Sequence, residues 1–204
     1  MGLISNGTTI FDAGAMASGF GGSMVFIKKL TASSSATLSF VDGTDGVVLD
    51  DTYKEYVFTF NNIHPETNFR HLGFQANAVG GSGYNETITS TMFVANHSED
   101  DSTTVLSYET GGDLAQGTGF QSIIHAIGNG NDESGSGTLH LFNPSSTTFV
   151  KHFIATTNTY TDNDRSQNNF VAGYINTTSA IDEIQFKFNS GNIDAGDICL
   201  YGIA

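Results

Sequence analysis

The chain predicts an all-β protein, a two-sheet sandwich of about ten strands. Apolar and polar residues alternate along short runs: Ile184, Phe186 and Phe188 fall on one side of a strand, and Glu183, Gln185 and Lys187 on the other. Clusters of Gly, Ser, Asn and Asp break these runs at short intervals, as loops between strands do. No segment is read as a helix, so the strands have only each other to pack against.

The elements follow in order. Residues 1–23 are Gly- and Ala-rich yet carry Leu3, Ile4, Ile10, Phe11, Met16 and Phe20, too apolar for a free linker. They are expected to form an extended arm that docks on a partner, with residues 24–204 as the sandwich domain. Strands are expected over 24–31, 36–41, 54–63, 69–78, 85–96 and 103–108. In the first aromatic run Tyr56, Phe58 and Phe60 share a face, and His64-Pro65 ends it, because proline cannot donate to a ladder. The stretch 110–128 places Phe120, Ile123, Ile124 and Ile127 at helical spacing, but its β-branched residues and flanking glycines favour a buried strand. Asn143-Pro144-Ser145-Ser146 reads as a tight turn between strands at 138–142 and 148–157, with Pro at the favoured second position. That register sets His140 across from Phe149 and puts His140 and His152 on opposite faces. A polar loop is expected at 160–168, a strand at 169–176, and a closing hairpin over 181–204. Strand number, unequal loops and length together fit a jelly roll.

Seven basic residues stand against 21 acidic ones, for a net charge of −14. Nucleic-acid binding rests on Lys and Arg neutralising phosphates, so that class is excluded, and anionic membrane surfaces fall to the same argument. No apolar run is long enough to span a bilayer. Four Asn-x-Ser/Thr sequons (Asn6, Asn85, Asn96, Asn176) lack a secretory signal ahead of them, and cytosolic synthesis is the expectation. The single Cys199, flanked by Ile198 and Leu200, is expected to be a small buried residue, with no disulfide within the chain.

The residues that carry chemistry do not assemble into a recognisable site. Six histidines are scattered without metal-ligand spacing. The acidic run Asp42, Asp45, Asp50 and Asp51 offers carboxylates for a cation, as does Glu99-Asp100-Asp101, but neither follows the calcium-loop pattern, and no metal or other cofactor is expected. There is no nucleophile elbow and no phosphate-cradling loop. The expectation is a protein without enzymatic activity. Glycan binding is the competing reading, although the chain has no Trp to serve as a platform.

The closing stretch I-x-x-I-x-F…S-G-N-I-D-A-G-D-I-x-L-Y-G-I resembles the terminal hairpin of β-sandwich virion proteins of tailed bacteriophages. Segments 31–43 (TASSSATLSFVDG), 53–65 (YKEYVFTFNNIHP), 136–160 (SGTLHLFNPSSTTFVKHFIATTNTY) and 170–182 (FVAGYINTTSAID) resemble marine-phage structural proteins. The resemblance implies a jelly-roll capsid-decorating or cement protein. It would be a homo-oligomer, trimer or dimer, bound to other virion proteins such as the major capsid protein, and assembled in the host cytoplasm. The alternative it implies is a tail-fibre or tail-tip module that binds a host receptor or glycan. The family offers no catalytic residues to carry over.

Overall fold

A computed structural model describes residues 3–6, 8–12, 15–16 and 23–204. The first described segments form β1 (Leu3–Ser5), β2 (Thr8–Asp12) and β3 (Ala15–Met16), which pair with one another as an antiparallel meander. The stretch expected to extend as an arm thus pairs Ser5 with Thr8 and Phe11 with Met16. Ile4 is exposed. The side chains of Leu3, Ile10, Phe11 and Met16, and all of Phe20, lie outside the described residues.

The expected all-β sandwich follows, with β4 (Met24–Thr31), β5 (Leu38–Val41), β6 (Glu55–Pro65), β7 (Arg70–Ala78), β8 (Ile88–Ser98), β9 (Thr104–Tyr108), β10 (Gln121–Ile127), β11 (Gly135–Phe142), β12 (Lys151–Thr161), β13 (Arg165–Ile175), β14 (Ile181–Phe188) and β15 (Ile193–Ile203). The order β4-β15-β6-β11-β12-β13-β8-β9 makes an eight-stranded layer, and β10-β7-β14-β5 a four-stranded one. Every pairing is antiparallel, and the layers join where Ile127 of β10 bridges Thr161 of β12. The result is a nearly closed, barrel-like sandwich. Its core is aromatic: Phe186 from the smaller layer meets Phe58 at 5.2 Å and Phe60 at 5.3 Å from the larger. Phe40 and Phe74 flank it at 6.2 Å and 6.5 Å.

Three expectations are corrected. The closing stretch is not a hairpin: β14 pairs with β7 and β5, and β15 with β6 and β4. The Asn189–Asn192 connection crosses between layers, so the apolar faces of the two strands oppose each other through the core. The polar stretch 160–168 is mostly strand, because β12 runs to Thr161 and β13 begins at Arg165. Polar side chains in and beside it satisfy one another inside: Asn169 Nδ2 donates to Thr157 and Thr159 Oγ1, both at 3.1 Å, and Gln167 Nε2 donates to Asn169 Oδ1 at 2.7 Å. The Asn143–Ser146 turn is the start of a longer loop reaching Val150, so His140 pairs with Ile154 rather than Phe149. That shift is odd in number and therefore flips faces, which brings His140 and His152 to the same side of the sheet.

The segment 110–128 divides. Its second part is β10, as expected, and 109–120 is a strap held down by two buried glutamines. Gln121 Nε2 donates to the carbonyls of Gly112 (2.7 Å) and Ser122 (2.8 Å), and its Oε1 accepts from Ser90 Oγ at 2.5 Å. Gln75 Nε2 donates to the carbonyls of Glu86, Thr118 and Gly119. Buried amides without such partners would be costly, so the two glutamines and the strap require each other.

His71 of β7 and His125 of β10 stack at 3.8 Å, and His71 Nδ1 accepts the Ala126 N–H at 2.9 Å. Burial, with help from His125 and Arg70, holds His71 down to about 4 from its ordinary 6.5. Burial lowers His125 as well. Between pH 6.5 and 4 the unfolded chain binds more protons at His71 than the folded one, so stability is full above 6.5 and is lost on acidification. At face value this is about 3 kcal/mol, and about 2 kcal/mol after discounting for the ring's partial exposure. Urea denaturation across that range should show the loss in wild type, and His71→Gln should show a clearly smaller one, the remainder coming from His125.

Candidate interaction surface

β strands alternate sides, so the positions that do not face the core build the outer face of the larger layer. On β12 these are His152, Ile154, Thr156, Asn158 and Tyr160, and on β13 Tyr174, Ala172, Phe170, Asn168 and Ser166. β8 adds Thr89, Thr91, Phe93, Ala95 and His97, and β9 adds Tyr108, Leu106 and Thr104. None of these positions carries Asp, Glu, Lys or Arg. In a chain of net charge −14, four adjacent strands present a face with no charged side chain other than what a histidine gains by protonation.

The face has two parts. Towards β9, Phe93 stacks on Phe170 at 4.7 Å and is paired across the ladder with Tyr108. Tyr108 donates its hydroxyl to Asp113 Oδ2 at 2.5 Å, and that hydrogen bond is the main reason its phenol is held protonated above its ordinary range. Next to this row Leu106 is 73% exposed. Towards the other end of the strands lies a shallow, largely apolar depression of about 460 Å³. Ala172 and the backbone of Gly173 form its floor, and Tyr174, His152, Ile154, Thr89 and Thr91 its walls. Gly173 is needed there: a Cβ would stand 2.8 Å from Phe153 Cζ and 2.5 Å from the Thr89 carbonyl.

Compared with family models, curated proteins and solved structures, the chain matches none.

The candidates named from the sequence are not gathered together. Asp42 Oδ1 accepts the Leu49 N–H at 2.8 Å and Asp50 Oδ1 the Thr52 N–H at 2.8 Å, so both carboxylates serve their own turns. Asp45 and Asp51 are exposed on the same connection. Asp100 likewise accepts from Ser102 N–H at 3.0 Å. Among the described residues no three His, Cys, Asp or Glu side chains converge as metal ligands. His140 Nδ1 meets Glu55 Oε1 at 2.6 Å, and His64 lies 3.5 Å from Asp194. Cys199 is buried, as expected. No helix is long and apolar enough to cross a membrane among the described residues.

Phe93, Phe170, Tyr108 and Leu106 were not among the sequence candidates. One signal was legible: Phe93 has the parity of Thr89 and Thr91, not of Ile88, Met92 and Val94, which places an aromatic ring on the solvent side of its strand.

Proposed function

We propose that this chain is a non-enzymatic structural component of a tailed-bacteriophage virion, a capsid-decorating or cement protein acting through self-association and contact with the shell. The observation that carries the reading is the uncharged outer face of β12, β13, β8 and β9, with the stacked Phe93 and Phe170 at its centre. Elsewhere the acidic surface keeps copies apart, and a face free of charge is where a close partner can sit without burying unpaired carboxylates. The resemblance of the closing strands to phage sandwich proteins supplies the virion setting. Residues 1–23 would grip neighbouring subunits or the major capsid protein.

Imaging of gold-labelled particles tests this. Many copies over the shell are expected, and absence from purified particles would sink the proposal. Deleting residues 1–22 should lower occupancy on the shell at least about tenfold if its apolar side chains are buried at a partner. Unchanged binding would remove the arm from the account.

The depression beside Tyr174 favours a second reading, a tail-borne module binding a host glycan. A tyrosine ring beside a groove can stack on the apolar face of a sugar, and His152 lines the same depression as a hydrogen-bonding group. Label at a single vertex, with adsorption of the isolated protein to host cells, would select it.

A further inference from the structure

We infer that β9 is the pairing edge of a two-fold dimer, joining it antiparallel to β9 of a second copy and making one continuous sheet across both. The inference deepens the self-association reading above, but its test uses purified protein alone. It can therefore fail while the virion reading stands, or hold while that reading fails.

The phase of the β8–β9 ladder gives the geometry. Ser98 N–H donates to the Thr103 carbonyl at 3.0 Å, and Glu109 N–H to the Met92 carbonyl at 2.9 Å. In an antiparallel ladder such pairs alternate. Val105 and Ser107 therefore turn their backbone groups to β8, and Thr104, Leu106 and Tyr108 point theirs outward. Among the described residues β9 pairs with β8 alone, and no backbone partner meets those outward groups. Open edges of this kind add strands unless something blocks them, and charged residues are the usual block. The opposite end of the same layer, β4, has Lys28 and Lys29 in the strand. β9 reads TVLSY and has no charge at all.

The occupant follows from self-complementarity. Two antiparallel copies of one strand meet about a two-fold axis, the commonest symmetry of homo-oligomers. Centred on Leu106, the pairing sets Leu106 against Leu106 of the second copy and Thr104 against Tyr108. All three outward residues then exchange both hydrogen bonds. Glu109 falls opposite Thr103 and Asp101 opposite Gly111, so no carboxylate faces a carboxylate over that span. The row Phe170, Phe93, Tyr108 continues into the second copy, and Leu106 is covered at the axis. A five-residue strand buries less than a standard interface, so the dimer is weak and concentration-dependent. With −14 on each copy it should also tighten with salt.

Sedimentation velocity over a concentration series reads the dimer. Leu106→Pro is the decisive variant: the Leu106 N–H makes no bond to β8, so proline leaves the protomer's ladder whole and blocks only the added strand. Leu106→Lys blocks it by charge, and serves if the proline variant unfolds. Both should weaken the dimer about tenfold or more, with thermal unfolding little changed. Leu106→Cys in a Cys199→Ser background should oxidise to a covalent dimer, because its Cα atoms would sit about 5.5 Å apart at the axis. Thr104→Cys, far from its own copy, should not. A protein that stays monomeric throughout would overturn the inference. So would a dimer unmoved by both Leu106 variants, including one lost only on deletion of residues 1–22.

Discussion

Phe186→Ala should destabilise the protein by about 3–5 kcal/mol and lower the midpoint of thermal unfolding by roughly 10 °C. The ring is fully buried and lies in edge or tilted contact with Phe40, Phe58, Phe60 and Phe74. It belongs to the four-stranded layer, and Phe58 and Phe60 to the eight-stranded one, so removing it opens a cavity where the layers meet. The stiff strands on either side can close that cavity only in part, which places the change at the costly end for its type. Phe186→Leu keeps most of the volume and should lose about 1–2 kcal/mol. Equal losses for the two variants would mean that the site tolerates collapse and that the aromatic cluster does not hold the layers together.

Gln121→Leu should destabilise by about 3 kcal/mol although the shape of the side chain is nearly kept. The substitution strands the Gly112 and Ser122 carbonyls and the Ser90 hydroxyl, which also accepts the Leu114 N–H at 2.9 Å. The loss should be local first. Hydrogen exchange at the Leu114 and Gly117 amides is expected to rise about a hundredfold, while amides in β6 and β15 stay protected. A uniform rise over the whole domain would show that the strap does not open independently.

The strands with an alternating apolar face were legible because burial of one face writes itself into the sequence at period two. The face of Ile184, Phe186 and Phe188 is of this kind. Pairing was not legible, since alternation says which side is buried and not who the neighbour is. That is why β14 and β15 read as a hairpin although they lie in different layers. Polar residues that satisfy one another inside leave no hydrophobic trace, and Gln167, whose partner is the buried Asn169, therefore read as part of a loop. The strap at 109–120 depends on Gln75 and Gln121, and an isolated glutamine in a sequence gives no sign of being buried. The outer face was legible in principle through the parity of Phe93. Its lack of charge becomes visible only when β12, β13, β8 and β9 are laid side by side.

The crossing between β14 and β15 bears on how the molecule is made. β4 has no partner but β15, and β5 none but β14, among the described residues. These two early strands must therefore wait through the synthesis of everything between before either can be hydrogen-bonded. Folding on the ribosome cannot complete either layer until residues 181–203 have emerged. The long sequence separation predicts slow acquisition of structure afterwards, with β4 and β5 as the segments that chaperones would need to shield.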